Sequence, residues 1–250
     1  MRSGRAVEDE GAPEAEDAAG EPRRGERRRG DTRLALTLTA ERVFAQEGVS
    51  NTPLRRITQA AGQKNESAIQ YHFGSREAMV QAILELRTTA VNAERERMLE
   101  LERARADGRT LSARTIARCM VEPLADHLRR SGGDSHYIRF LAQLWLDRAM
   151  WRKLENKAQD SGIVACLAAL EAANPHLPRE VVHQRFGLAI QMLNLGLAAM
   201  EQLIDDRGAA YDWKKGELRL ANMVDCIEAL FQAALSPDSI DAMAQIRRDP

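Results

Sequence analysis

Aromatic residues are scarce in this chain, at 4% of 250 positions, so the few rings are informative where they gather. Cysteine is scarcer: Cys119, Cys166 and Cys226 are odd in number and far apart. That excludes a disulfide framework and a clustered zinc site, and fits a reducing cytoplasm. There is no run of about 18 apolar residues, so no membrane span is expected. The first 30 residues contain no apolar core, which speaks against a secretory signal. Net charge is nearly absent too, at −1, and that would ordinarily speak against a nucleic-acid partner. Catalytic signatures are also lacking. There is no Gly-rich phosphate loop, no H-E-x-x-H and no nucleophile elbow. His127, His136, His176 and His183 show no i,i+4 metal spacing. No catalytic residue, metal ligand or cofactor is therefore assigned.

The near-zero charge is a sum of unlike segments. Residues 1–20 hold six acids against Arg2 and Arg5, a net −4. Residues 21–87 hold twelve basic groups against eight acids, a net +4, and the remainder sums to −1. An acidic tail thus masks a basic segment. By itself that segment reads equally as a solvated surface, and it points to nucleic acid only if a binding motif lies inside it.

Residues 1–30 are Gly, Pro, Ala, Glu and Arg with almost no large apolar side chain, the composition of a disordered extension. From about residue 32 the apolar positions turn helical, with Leu36, Ala40, Phe44 and Gly48 four apart, ending near Glu47. Thr52-Pro53 predicts a helix start, the Thr hydroxyl capping and Pro in the first turn. That helix runs to about Ala61, and Gly62 stops it. Asn65 can cap a short helix over 66–72, and Ser75 a long one over 76–104. Further helices are expected over 110–130, 135–149, 151–173, 178–206 and 215–235, with Pro123 kinking or splitting the first of these. Residues 237–250 read as a flexible polar tail. The chain is expected to be all-α: a helix-turn-helix domain over 31–78, then a helical domain over 79–236.

Three clusters of residues have the spacing of a known family. They are Ala40-x3-Phe44-x3-Gly48-x3-Thr52, Ile57-x2-Ala60-Ala61-Gly62, and Tyr71-His72-Phe73-Gly74-Ser75-Arg76-Glu77-Ala78-Met79. Over about residues 33–84 the chain resembles the N-terminal domain of the tetracycline-repressor (TetR) family. It departs from the usual pattern in a turn one residue longer, Gly62 to Ser67. In addition, Gln70 stands where an aromatic is usual, with Tyr71 next.

The resemblance implies a cytoplasmic, sequence-specific DNA-binding transcriptional regulator of the repressor type. The alternative is a helical ligand-binding or interaction protein without specific DNA binding. A recognition helix offers its N-terminal residues to base edges. Gln63, Lys64, Asn65, Ser67 and Gln70 lie there, and Gln or Asn suits adenine while Lys reaches guanine. Glu66 reads better as a helix-dipole residue. Thr52, Arg55, Arg56, Tyr71, His72 and Arg76 are candidates for phosphate contact. Arg23 to Arg29 form either a basic arm on DNA or a solvated charge run.

For the C-terminal domain the resemblance implies a homodimer on a palindromic double-stranded operator and a small-molecule effector of apolar or amphipathic character. Val182, Phe186, Ala189, Leu193, Leu197, Met200 and Ile204 form one apolar stripe. Leu220, Val224, Ile227 and Phe231 form another. They suit either a dimer interface or an internal core, and the resemblance favours the interface. Met120, Leu124, His127, Tyr137, Phe140, Gln143, Leu144 and Met192 are candidates for an effector pocket, with Arg139, Asn194 and Trp151 as neighbours.

Overall fold

A computed structural model describes residues 24–63, 67–154 and 161–246, with the side chains of the first helix described from Arg29 onward. All α- and β-type regular structure among these residues is helical. The elements are α1 (Arg24–Glu47), α2 (Leu54–Ala60), α3 (Ala68–His72), α4 (Arg76–Ala106), α5 (Ala113–Ser131), α6 (Tyr137–Leu146), α7 (Arg148–Lys153), α8 (Ser161–Ala173), α9 (Arg179–Arg207), α10 (Trp213–Gln232) and α11 (Pro237–Ile246).

Helices α1–α3 and the start of α4 form the smaller unit. Leu36, Ala40 and Phe44, four residues apart on α1, are fully buried and meet Ile57, Ile69, Met79 and Ile83 in one core. Gly48 ends α1 at φ +85°, a left-handed conformation that a Cβ would strain, and its N–H returns to the Phe44 carbonyl at 3.0 Å. Ser75 caps α4 by accepting from the Ala78 N–H at 3.0 Å, as its position implied.

Several boundaries differ from the sequence reading. α1 begins at Arg24 rather than near residue 32, so residues 24–30 are helical and not a disordered arm. Residues 1–23 lie outside the described residues. Thr52 does not cap α2. Pro53 occupies that position, and the Thr52 hydroxyl donates to the Gly48 carbonyl at 2.6 Å. The end of α1 leaves that carbonyl without a helical partner, and a buried acceptor is costly to leave unpaired. The expected cap of α3, Asn65, lies outside the described residues. Ser67 stands at the N-cap without a side-chain cap bond. Pro123 neither splits nor ends α5. The 237–250 tail is helical as far as Ile246, with Ser236 accepting from the Ser239 N–H at 3.2 Å, and residues 247–250 lie outside the described residues.

Helices α4–α10 make the larger unit. α4 leaves the smaller unit and continues between α5 and α8, so one rigid element belongs to both. α6 packs on α9 and also along α1. The stripe Val182, Phe186, Ala189, Leu193, Leu197, Met200 and Ile204 is buried within this single chain, as are Leu220, Val224, Ile227 and Phe231. Phe186 and Phe231 stack at 6.4 Å. Both stripes are therefore internal core, which corrects their assignment to a dimer interface. An amphipathic stripe demands cover, and here the neighbouring helices of the same chain supply it. The α9 segment is long and apolar enough to cross a membrane by composition, and this packing explains that composition.

Candidate nucleic-acid interface and ligand cavity

Helices α2 and α3 turn apolar residues inward and most of their polar residues out, Thr58 being the buried exception, with its hydroxyl donating to the Arg55 carbonyl at 2.8 Å. Ile57, Ala68 and Ile69 are buried; Arg55, Arg56, Ser67, Gln70 and Tyr71 are exposed, Tyr71 at 63%, and Gln63 is half-buried in the turn. Lys64, Asn65 and Glu66 lie outside the described residues. Arg56 forms an exposed pair with Glu47 at 3.1 Å.

Three expected phosphate contacts are placed differently. Thr52 is 1% exposed with its hydroxyl committed to Gly48. Arg76 donates to the Val49 carbonyl at 2.5 Å, with its guanidinium 5.9 Å from the Phe44 ring centroid, so it pins α4 to the end of α1. His72 is half-buried, edge-on to Tyr71 at 5.0 Å. Burial, then the charges of Arg29 and Arg33, hold its pKa below the ordinary histidine value, which favours the neutral ring.

Those two arginines were missed as individual contacts. Arg29 lies over the Tyr71 ring, 4.6 Å from its centroid, and Arg33 over Phe73 at 5.1 Å. Their signal in the sequence was the four-residue spacing Arg29, Arg33, which continues into the helical register of α1.

In the larger unit, α4, α6, α8 and α9 surround a cavity of about 430 Å³. Apolar walls dominate, with Leu141, Trp145, Trp151, Ile163, Phe186 and Ile190 among them. Polar groups come mainly from one face of α4, Thr88, Asn92 and Arg95, joined by Tyr137 and Asn194. The Thr88 and Tyr137 hydroxyls lie 2.9 Å apart, and Arg95 donates to the Asn92 side-chain oxygen at 2.6 Å.

Of the expected pocket residues, Leu124 and Tyr137 line this cavity, as do their neighbours Asn194 and Trp151. Met120 and Leu144 are buried in the surrounding core. Phe140 stacks on Phe44 of α1 at 6.4 Å. Gln143 reaches toward Gly48. His127 hydrogen-bonds the Ser135 hydroxyl at 2.8 Å, and Met192 is 39% exposed on the outer side of α9. These six are not cavity residues. The reason is helix phase: Tyr137, Leu141 and Trp145 form the i, i+4, i+8 face of α6 on the cavity, while Phe140 and Gln143 face α1. Arg139 likewise points to α9, pairing with Glu201 and Asp205.

α6 is held at both ends as well. The Glu41 carboxylate of α1 accepts the His136 N–H at 3.0 Å, and Glu201 of α9 accepts the Ile138 and Arg139 N–H groups at 3.2 and 2.9 Å. At the far end Asp147 accepts from the Ser50 hydroxyl in the loop after α1 and caps α7 through the Met150 N–H at 3.0 Å. One side of α6 therefore faces the cavity, and the other grips the smaller unit.

A short helix pair with an exposed polar face, joined through a shared helix to a hollow helical bundle, defines a helix-turn-helix protein with a cavity-bearing helical domain. Comparison with protein families finds two matches, "Bacterial regulatory proteins, tetR family" over residues 36–83 and "Tetracyclin repressor-like, C-terminal domain" over residues 118–229. The chain belongs to the TetR family of DNA-binding transcriptional regulators. No match was found among curated proteins.

Proposed function

We propose that the chain acts as a cytoplasmic homodimeric repressor, released from a palindromic operator by a small apolar or amphipathic effector. The observation that carries this reading is the double contact of α6. Its Tyr137, Leu141 and Trp145 face wall the cavity, while Phe140, His136 and Asp147 meet α1 and its following loop. A molecule that fits only one placement of α6 shifts the smaller unit with it, by its differential affinity for that placement.

At the DNA, Gln63, Ser67 and Gln70, with Lys64 and Asn65, serve base edges, and Arg55, Arg56 and Tyr71 serve phosphates. Thr52 and Arg76 support them from behind. A single short recognition helix reads few bases, so a two-fold dimer with half-sites about 34–36 Å apart supplies the rest. The outward faces of α9 and α10 suit that dimer. Leu188, Met192 and Leu195 on α9 and Leu218 on α10 are exposed, and they form the apolar surface that the buried stripes do not.

The test is fluorescence anisotropy with the DNA upstream of the protein's own gene, competed with random DNA, before and after adding apolar small molecules. Preference for the promoter fragment and release by some compound are expected. Leu141→Trp, which fills the cavity, should bind the same DNA and resist release. Equal affinity for random DNA would sink the reading.

A further inference from the structure

We propose that the N-terminal turns of α1 extend the DNA interface, with Arg29 and Arg33 binding backbone phosphates beside the recognition helix. The inference rests on the DNA-binding reading and adds to it a contact outside the family match, which begins at residue 36.

α1 starts at Arg24, so a helical extension precedes the matched segment. Arg29 and Arg33 stand one turn apart on it and project to the same side. Both are exposed, yet neither is loosely placed. The first guanidinium lies 4.6 Å from the Tyr71 centroid and the second 5.1 Å from that of Phe73. Tyr71 belongs to α3 and follows Gln70, so the two charges are fixed at the C-terminal edge of the recognition helix. Among the described residues neither arginine forms a salt bridge. Asp31 lies two residues from each, which puts it on another side of the helix.

The chemistry suits a phosphate. A ring takes the flat face of a guanidinium and leaves its in-plane N–H fork directed outward, the geometry that binds phosphate oxygens bidentately. Stacking also restricts the arginine rotamers before DNA arrives, which lowers the ordering cost of binding. The depressed pKa of His72 agrees with the geometry, since the two charges that contribute to it are these arginines. A duplex seated on α3 presents its phosphates along the groove edges, and a cation pair at the end of that helix is placed to meet them.

The experiment measures the affinity of full-length protein for the promoter fragment across about 50 to 300 mM KCl. Wild type, R29Q/R33Q and R29K/R33K are compared, with melting curves confirming that all three fold. Each phosphate contact contributes about 0.9 to the slope of log affinity on log salt. Two arginines in each of two protomers should lower the slope by about 3 to 4 in R29Q/R33Q, with affinity at least roughly tenfold weaker at moderate salt. R29K/R33K keeps the charges and should keep most of the slope. A glutamine variant with the wild-type slope overturns the proposal, even if its affinity falls, because the arginines would then act only by holding the rings. Wild type that shows no preference for the promoter overturns the DNA reading along with it.

Discussion

Arg95 of α4 donates through Nε to the Cys119 carbonyl at 3.2 Å, and Pro123 sits four residues on. A proline has no N–H, so Cys119 is the carbonyl that Pro123 leaves without its helical partner. The guanidinium replaces the missing donor. α5 therefore runs unbroken from Ala113 to Ser131 where the sequence led us to expect a kink or a split.

This relationship predicts a coupling. Arg95→Met should destabilise the protein by about 2 kcal/mol, the usual cost of losing a hydrogen bond to a charged group. In a Pro123→Ala background the helix regains its own donor, and the same change should cost about 1 kcal/mol less. Urea unfolding of the four proteins measures the cycle, and additive effects would remove the proposed substitution of donors.

Glu41 and Arg87 tie α1 to α4 by two hydrogen bonds of 2.7 and 3.2 Å, with the carboxylate 2% and the arginine 22% exposed. Breaking one side of so buried a pair strands a charge. Arg87→Ala should lower stability by about 3 kcal/mol. Glu41→Gln/Arg87→Met, which leaves no charge behind, should cost less than Arg87→Ala alone. Chemical denaturation distinguishes the two orders.

The smaller unit was largely legible in the sequence because its signals are local. Gly48, the Thr52-Pro53 step, Gly62 and the Ser75 cap each mark an element end within a few residues. The cavity was not, because it depends on which face of α6 looks which way. Tyr137 and Phe140 are both aromatic and both buried, and only packing decides that one lines the cavity while the other stacks on Phe44. The stripes of α9 and α10 failed for a related reason. Periodicity says that Leu193 or Val224 must be covered, and it is silent on whether the cover comes from this chain or from another copy. Arg29 lay in a segment whose composition argued for disorder, Arg33 stood in the expected helix with nothing local to mark it, and the aromatic rings that hold them are some forty residues distant.

Two buried groups give stability opposing pH dependences. Burial raises Glu201 to about 7, against the lowering effect of its two backbone hydrogen bonds and of Arg139. Between about 4.5 and 7 the folded carboxyl keeps a proton that the unfolded chain has released, so its contribution falls as pH rises through that window. Burial, aided by the charge of Arg87, lowers His127 to about 4. Between about 6.5 and 4 the unfolded chain takes a proton that the folded one refuses, so stability is lost as pH falls. Relative to wild type, Glu201→Gln should gain stability from pH 5 to pH 7.5. His127→Gln should gain from pH 7 to pH 4.5. Melting temperatures at a series of pH values test each, and a constant offset from wild type would refute the corresponding assignment.

The outward surface of α9 is the dimer contact proposed above, and the opposite side of the same helix is core. Leu188 and Leu195 are 52% exposed, one helical turn apart in pairs with Met192 between them, while Leu193 is 1% exposed on the opposite side. Gly196 is half-buried on the side of α9 that meets α10, where a Cβ would stand 2.5 Å from the terminal methyl of Met223, so the two helices approach closely at that point. A charge placed at Leu188 and Leu195 meets water in the monomer and a desolvated partner in the dimer. Leu188→Glu/Leu195→Glu should therefore give a folded monomer with wild-type helical content by circular dichroism. Its affinity for the promoter fragment should fall by at least about a hundredfold, because one recognition helix then acts without its two-fold mate. Leu193→Glu, by contrast, should unfold or fail to accumulate, since it buries an unpaired carboxylate in the core. Sedimentation velocity reads the outcome directly. A double variant that stays dimeric would move the interface away from this face of α9, whereas a monomer that binds DNA as well as wild type would remove the need for a dimer.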